Sequence, residues 1–292
     1  MRETVLDPAV LARKVVANVD EPDDVPASGR RQVRAIFISD LHMGTKGCKA
    51  EAVADFLKLY DCEFLYLVGD IIDGWRLRKS WYWDHQHDRI IRRVIKKAKR
   101  GTRVVYIPGN HDEWLRDWIH PGFELAGVHF ELETEHVTAD GRRLLITHGD
   151  EFDSVVRHAK ALALLGDRAY EFALVVNRWF NVVRRRLGYP YWSLSQWLKH
   201  QVKSAVAHID RFEAELAAKA QALGFDGVVC GHIHTAAMRT VNGILYLNDG
   251  DWVESCTALV EHLDGRLEII SGLPVGDVLQ LEVGTTNAVQ AA

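Results

Sequence analysis

Five times in this 292-residue chain an apolar run of strand length stops on a cluster of Asp, His or Asn. The stretches are IFISDLH, LYLVGDIID, VYIPGNHD, LLITHGD and VVCGHIH. Sheet ends are where α/β proteins gather functional side chains. Glycines at 69, 109, 149 and 231 allow the sharp turns that aim the next side chain. A Pro-Gly-Asn-His turn after a buried strand makes no sense as core packing, and five such stretches in one order are hard to ascribe to chance.

The rest of the chain fits a sheet protein. VRAIFIS (33–39), a helical KAEAVADFLKLY (49–60), FLYLV (64–68), a helix around 84–100 and RVVYI (103–107) alternate as α/β. Short strands expected at 128–132, 142–147, 226–230, 243–248 and 256–263 add antiparallel pieces, which gives a layered fold of mixed sheets. Residues 1–31 read as a flexible tail, ending in the linker-like DEPDDVPASGRR. A single domain is expected over 32–274, interrupted by a helical insertion at about 153–223, with a C-terminal tail over 275–292. In the insertion, Ser193 with Gln196 forms a capping-box pattern. Leu194, Trp197, Leu198, Val202, Ala205, Ile209, Phe212 and Leu216 form a helical stripe behind it.

Composition narrows the partners. With 48% apolar and 26% charged residues a packed core is expected. A net charge of −4 argues against nucleic acid. The four cysteines lack CxxC spacing, which fits neither a disulfide framework nor a zinc knuckle but a reducing compartment. No signal peptide and no membrane-length apolar run is legible, so a cytoplasmic protein is expected, attached at most to the inner face of the membrane.

The clustered residues are Asp40 and His42, Asp70 and Asp73, Asn110 and His111, His148 and Asp150, and His232 and His234. Imidazoles, carboxylates and one amide, without thiolate, favour Mn²⁺, Fe²⁺ or Zn²⁺. Two such ions joined by a carboxylate suit hydrolytic displacement at phosphorus. Asn110 adds a ligand without charge. Asp70 and Asp73 are not adjacent and can do different work. His111 follows a ligand too closely to point easily at the same ion, so its sensible use is as a general acid or phosphoryl-oxygen donor. WRLRKSWYW (75–83) and EWLRDWIH (113–120) flank these residues. There Arg76, Arg78 and Lys79 can take phosphates, and Trp81 and Trp114 a flat or apolar group; equally, the tryptophans can cap the sheet. His85 and His87 read as a helix start capped by Asp84. GTKGCK (44–49) lacks phosphate-loop spacing. Asp150 reads as a support for ligands. His158, His200 and His208 read as packing or solvated residues.

The ordered motifs DLH, GDIID, GNHD, THGD and GHIH resemble those of the calcineurin-like metallophosphoesterases, over residues 34–272. The resemblance implies a layered α/β sandwich of two mixed β-sheets flanked by helices. It implies one metal on Asp40, His42 and His234, another on Asn110, His148 and His232, and Asp70 bridging them. His111 would stand near the leaving group, oriented by Asp73. Within that superfamily the chain resembles the UDP-2,3-diacylglucosamine pyrophosphatases of bacterial lipid A synthesis. This implies two divalent ions, Mn²⁺ first, a helical lid, and hydrolysis of a nucleotide-linked lipid to UMP and a lipid phosphate. Those enzymes usually read GNRD where this chain has GNHD. The insertion's surplus apolar surface, with Arg184-Arg185-Arg186 and YPYW, fits an acyl-chain groove or membrane surface, or else a self-packed hairpin or homodimer interface. Two other functions stay open: a phosphodiesterase or phosphatase for a soluble nucleotide-like substrate, and a non-catalytic metal-holding scaffold that binds a protein through the lid.

Overall fold

Alternation along the strands sets the layers. In β1 (Arg31–Ile38), Ala35 and Phe37 face one way and Ile36 and Ile38 the other, and all four are fully buried. A strand covered on both faces is apolar throughout, which is why the runs preceding the polar clusters are unbroken. The computed structural model describes residues 29–152, 186 and 194–272, by backbone alone over 194–207.

One sheet has seven strands. Its centre is parallel: β1, β2 (Tyr60–Val68), β3 (Arg103–Ile107) and β5 (Val128–Phe130). Antiparallel edges complete it, with β4 (Glu124–Leu125) beside β5, and β11 (Thr257–Glu261) then β12 (Leu267–Ser271) beyond β1. The second sheet has five strands in the order β6 (Thr134–Val137), β7 (Arg143–Ile146), β8 (Gly227–Cys230), β10 (Ile244–Asn248), β9 (Ala237–Val241). Its centre, β7, β8 and β10, is again parallel.

The two sheets pack through Phe37, Tyr66, Val68, Val105 and Ile107 against Leu144, Ile146, Val229 and Leu247. On the outer face of the larger sheet lie α1 (Ala50–Leu59) and α3 (His85–Lys99), through Val53, Leu57, Ile90 and Val94. On the outer face of the smaller sheet lies α4 (Leu194–Ala222), whose Phe212, Leu216 and Ala220 pack on Leu145, Val228 and Tyr246. The layers are therefore helix, sheet, sheet, helix: the α/β sandwich with two mixed sheets. Buried Glu261 pins the sheets together, accepting from Arg34 Nη1 at 2.8 Å and lying 2.7 Å from His136 Nε2.

Three expectations need correction. Strand β1 begins at Arg31, before the expected residue 33, because Arg31 already pairs with Tyr60. The stretch 209–222, read as part of a lid, is core: the stripe Ile209, Phe212, Leu216 faces the smaller sheet. Strands β4, β6, β9 and β12 have no counterpart in the sequence reading. Signals for some were present. Asn242-Gly243 joins β9 to β10 with φ of 52° and 85°, the paired positive values of a tight hairpin turn. Asp84 does cap α3, accepting from the Gln86 and His87 backbones at 2.9 and 3.2 Å, while His87 returns a bond to the Asp84 N–H. Expectations for residues 1–28, for the insertion over 153–193 including Arg184 and Arg185, for Ser193 as a cap and for the tail at 275–292 lie outside the described residues.

Candidate metal centre

The strand ends converge. Asp40 and His42 follow β1, Asp70 and Asp73 follow β2, Asn110 and His111 follow β3, His148 follows β7, and His232 and His234 follow β8. These are parallel strands of both sheets, so their C-terminal ends share one edge of the sandwich. Turning each side chain inward bends the backbone hard. Asp40, His42, Asp70, His232 and His234 all have φ between 50° and 70°, a left-handed conformation. For non-glycine residues this costs on the order of 1 kcal/mol each. Such strain persists only where the surroundings impose it, and it gathers at functional sites.

Two groups of potential ligands form, Asp40 with His42 and His234, and Asp70 with His148 and His232, the ligand atoms of each lying within 4.8 Å of one another. His234 Nε2 is 2.7 Å from Asp40 Oδ1, and His42 Nε2 is 3.4 Å from His234 Nε2. Asp70 stands between the groups, its Oδ1 3.5 Å from His148 Nε2 and its Oδ2 3.8 Å from His42 Nε2. The His148 ring is oriented by Nδ1, which donates to Val68 O at 2.8 Å. Its Nε2 is buried and makes no hydrogen bond, and buried Asn110 Oδ1 accepts none. Burying polar atoms without partners is costly. Orphaned donor atoms amid carboxylates and imidazoles are what a divalent cation would satisfy, so the residues fit a metal.

Packing at Gly109 is close enough to need glycine. A methyl on Gly109 would land on the Asp70 carboxylate and the His148 ring.

A third grouping lies beside these. His111 Nδ1 is 3.1 Å from Asp73 Oδ2, and His42 Nδ1 is 3.5 Å from the same oxygen. His111 N–H donates to Asp70 Oδ1 at 2.8 Å. Its ring is wedged between the edge of His42, with centroids 4.6 Å apart, and the indole of Trp75 at 4.3 Å. Glu113 accepts from Trp75 Nε1 at 3.1 Å and fixes that indole.

Electrostatics binds the site into one system. Burial pushes the His42 imidazole down, but its contacts with Asp40 and Asp73 and the charges of Asp40 and Asp70 overturn this and raise it to about 9. Burial likewise opposes charge on His148, and Asp70 overrides it, raising His148 to about 10. Burial pushes Asp70 up, yet the charge of His148, 3.5 Å away, holds it well below the usual carboxylate range. Without metal, both imidazoles therefore carry protons at neutral pH, and ligation requires them neutral. Metal affinity is expected to rise with pH from neutrality to about 9, by at least roughly tenfold per pH unit, with proton release on binding. Mn²⁺ calorimetry in buffers of different ionisation enthalpy measures both, and a pH-independent affinity would contradict the arrangement. The sign for folding differs. The raised imidazoles stabilise the metal-free chain below about pH 6.5, an effect lost as pH climbs through their folded values.

Other residues singled out in the sequence lie outside the ligand groups. Asp150 stays out of the clusters and pairs with Arg116 at 2.8 Å, while Arg116 also donates to Pro108 O at 3.0 Å. Arg76, Arg78 and Lys79 are exposed on the short helix α2 (Gly74–Lys79). Trp81 is 59% exposed. Trp114 is instead half-buried, packed against the core and lining an apolar cavity of about 140 Å³ with Leu77, Ile90, Val94 and Phe123. Two carboxylates escaped the sequence reading. Asp112, fully buried, accepts from the Ile71 backbone at 2.9 Å, from the Gly109 backbone at 2.5 Å and from the Tyr106 hydroxyl at 2.5 Å. Asp249, also fully buried, lies 2.5 Å from Ser39 Oγ. The signal for Asp249 was a sixth strand-end cluster, GILYLNDGD, with the form of the other five.

Sheet order, converging strand ends and ligand types together define a phosphoesterase of the two-sheet α/β class. The chain belongs to the calcineurin-like phosphoesterase family, whose sequence pattern matches residues 33–236, and it is a phosphoester hydrolase. Among its relatives, UDP-2,3-diacylglucosamine hydrolase of Porphyromonas gingivalis is 25% identical over 243 residues, covering 74% of this chain and 89% of its own length. The enzyme of that name from Neisseria meningitidis serogroup B is 26% identical, with coverage of 75% and 89%. The DNA polymerase II small subunit of Methanothermobacter thermautotrophicus is 24% identical over 160 residues, which are 44% of this chain and 32% of that protein. Among solved structures, Yfce, a phosphoesterase from E. coli, covers 82% of this chain and 92% of its own at 15% identity, with a TM-score of 0.40. Among the described residues, no helix is long and apolar enough to cross a membrane.

Proposed function

We propose that the chain hydrolyses a pyrophosphate within a nucleotide-linked lipid of the UDP-2,3-diacylglucosamine type, through a dinuclear metal centre. The observation that carries the dinuclear reading is the position of Asp70, within 4 Å of an imidazole from each ligand group. Asp40, His42 and His234 would hold one ion, Asn110, His148 and His232 the other, with Asp70 common to both. When bound, Mn²⁺, or Fe²⁺ or Zn²⁺, neutralises phosphoryl oxygens and acidifies water. The chain's own groups do the rest. His111, partly exposed and held by Asp73, donates a proton or hydrogen bond to the leaving-group oxygen. Arg76, Arg78 and Lys79, exposed on α2 just after Asp73, would supply positive charge for a second phosphate. The lipid part of the reading is supported by the relatives, whose names state that substrate.

The test is direct. With Mn²⁺, purified protein is offered UDP-2,3-diacylglucosamine and, separately, bis-p-nitrophenyl phosphate. Release of UMP from the first is expected. Turnover of the ester alone would replace the lipid reading with a phosphodiesterase for a soluble substrate. His111→Ala is expected to lower kcat by about 10²–10⁴-fold, the usual worth of a positioned acid, with two metals still bound. Loss of metal from that variant would contradict its assignment.

A further inference from the structure

The Asp249 carboxyl lies outside the groups of potential ligands, yet it is wholly buried beside a ligand's neighbour. Ser39 Oγ lies 2.7 Å from Asp40 Oδ2 and 2.5 Å from Asp249 Oδ1, with Gly250 O at 3.2 Å. A hydroxyl has one proton to give. If both carboxyls were ionised, one of the two short contacts would set lone pair against lone pair. A proton is therefore missing from the count, and it belongs to one of the two acids.

Asp40 is not its owner. Its Oδ1 is 2.7 Å from His234 Nε2, and its Oδ2 also accepts the His232 N–H at 2.8 Å. Both contacts favour the ionised form. Among the described residues no cation contacts Asp249, and its Oδ2 is buried without a hydrogen bond. Burial, aided by the charge of Asp40, pushes the Asp249 carboxyl well above the usual range, against the Ser39 contact, the charge of His148 and a backbone hydrogen bond. The direction of the chain follows, from the Asp249 hydroxyl to Ser39 and from Ser39 to Asp40.

We propose that Asp249 is a positioning residue of the metal centre, donating to Ser39 so that Ser39 holds Asp40 with its other oxygen turned to His42 and His234. The arrangement rests on the metal-site reading above. It fixes a ligand without adding charge, because the supporting acid is neutral. Two features assist it. Gly231 leaves room for Ser39 and Asp40, since a methyl there would strike both. Asn248 steadies the loop, its Nδ2 donating to Gly231 O at 2.8 Å and its Oδ1 accepting from the Gly250 N–H at 3.0 Å.

The test compares three variants by Mn²⁺ calorimetry. Asp249→Asn keeps shape and offers an amide donor to Ser39, so affinity is expected within about threefold of the parent. Asp249→Ala and Ser39→Ala break the chain at its end and its middle. Each is expected to weaken Mn²⁺ binding by roughly 10–100-fold, the usual effect of removing a group that orients a ligand. Ser39→Ala leaves the Asp249 packing intact and guards against a mere folding defect. An Asp249→Asn variant as impaired as Asp249→Ala would show that the carboxylate acts as an anion and overturn the proposal. So would unchanged affinity in Ser39→Ala. An infrared difference between parent and Asp249→Asn at neutral pH should show the carbonyl band of a protonated acid, with or without metal. Its absence also overturns the proposal. Failure of the parent to bind Mn²⁺ would instead strike at the metal-site reading.

Discussion

Asp70→Asn is expected to leave a folded chain that binds metal poorly and turns over phosphoesters on the order of 10³-fold more slowly. The backbone argument comes first. Asp70 sits at φ 53°, a conformation that asparagine tolerates as well as aspartate. The amide oxygen can still accept the His111 N–H, now bonded to Asp70 Oδ1 at 2.8 Å, so the loop after β3 keeps its anchor. What disappears is the charge and one of two carboxylate oxygens between His42 and His148. A shared carboxylate is the part of a two-metal site that cannot be replaced from one side. Metals contribute several kcal/mol to displacement at phosphorus, and about 4 kcal/mol corresponds to roughly 10³-fold in rate. Metal content by elemental analysis, with turnover of bis-p-nitrophenyl phosphate, decides it. A variant with two tightly held ions and near-parental activity would remove Asp70 from its central role.

Asp112→Ala acts on the frame of the site. The Asp112 carboxylate joins the loop after β2, through the Ile71 and Ile72 backbones, to the loop after β3, through Gly109, and to Tyr106 within that strand. Alanine leaves these buried donors unsatisfied at about 1–3 kcal/mol apiece, partly relieved by relaxation and water. A loss of roughly 3–5 kcal/mol is expected. For a domain of this size that lowers Tm by about 10 °C. Because the two loops carry Asp70, Asp73, Asn110 and His111, metal binding should weaken in parallel. Thermal melting of the metal-free protein is the measurement. A change under about 1 kcal/mol would mean that the loops hold together without the clasp.

The strand ends were legible for a physical reason. A strand covered on both faces has no room for polar residues, so a sudden Asp or His marks where it leaves the core. Asp40, Asp70, Asn110, His148 and His232 each stand two or three residues beyond such a run. The hidden parts depend on groups distant in sequence. Asp112 looked like the tail of a motif, because its partners Ile71 and Ile72 lie about forty residues earlier. For Trp114 the sequence left a site aromatic and a sheet cap equally open, because only the packing of α3 and β5 places it over a cavity. The stripe through Ile209, Phe212 and Leu216 showed that a helix buries one face, but not which surface receives it.

By itself, then, the sequence determined the α/β class, the succession of buried strands and the ligand types at their ends, since these follow from local hydrophobic pattern and donor chemistry. Only the tertiary structure decided the distances within and between the groups of potential ligands, and that Asp112 and Asp249 are buried against the residues and loops beside them. Those relations join residues up to about two hundred positions apart. Distances across two stacked sheets follow from pairing and packing, and no local stretch of chain encodes them.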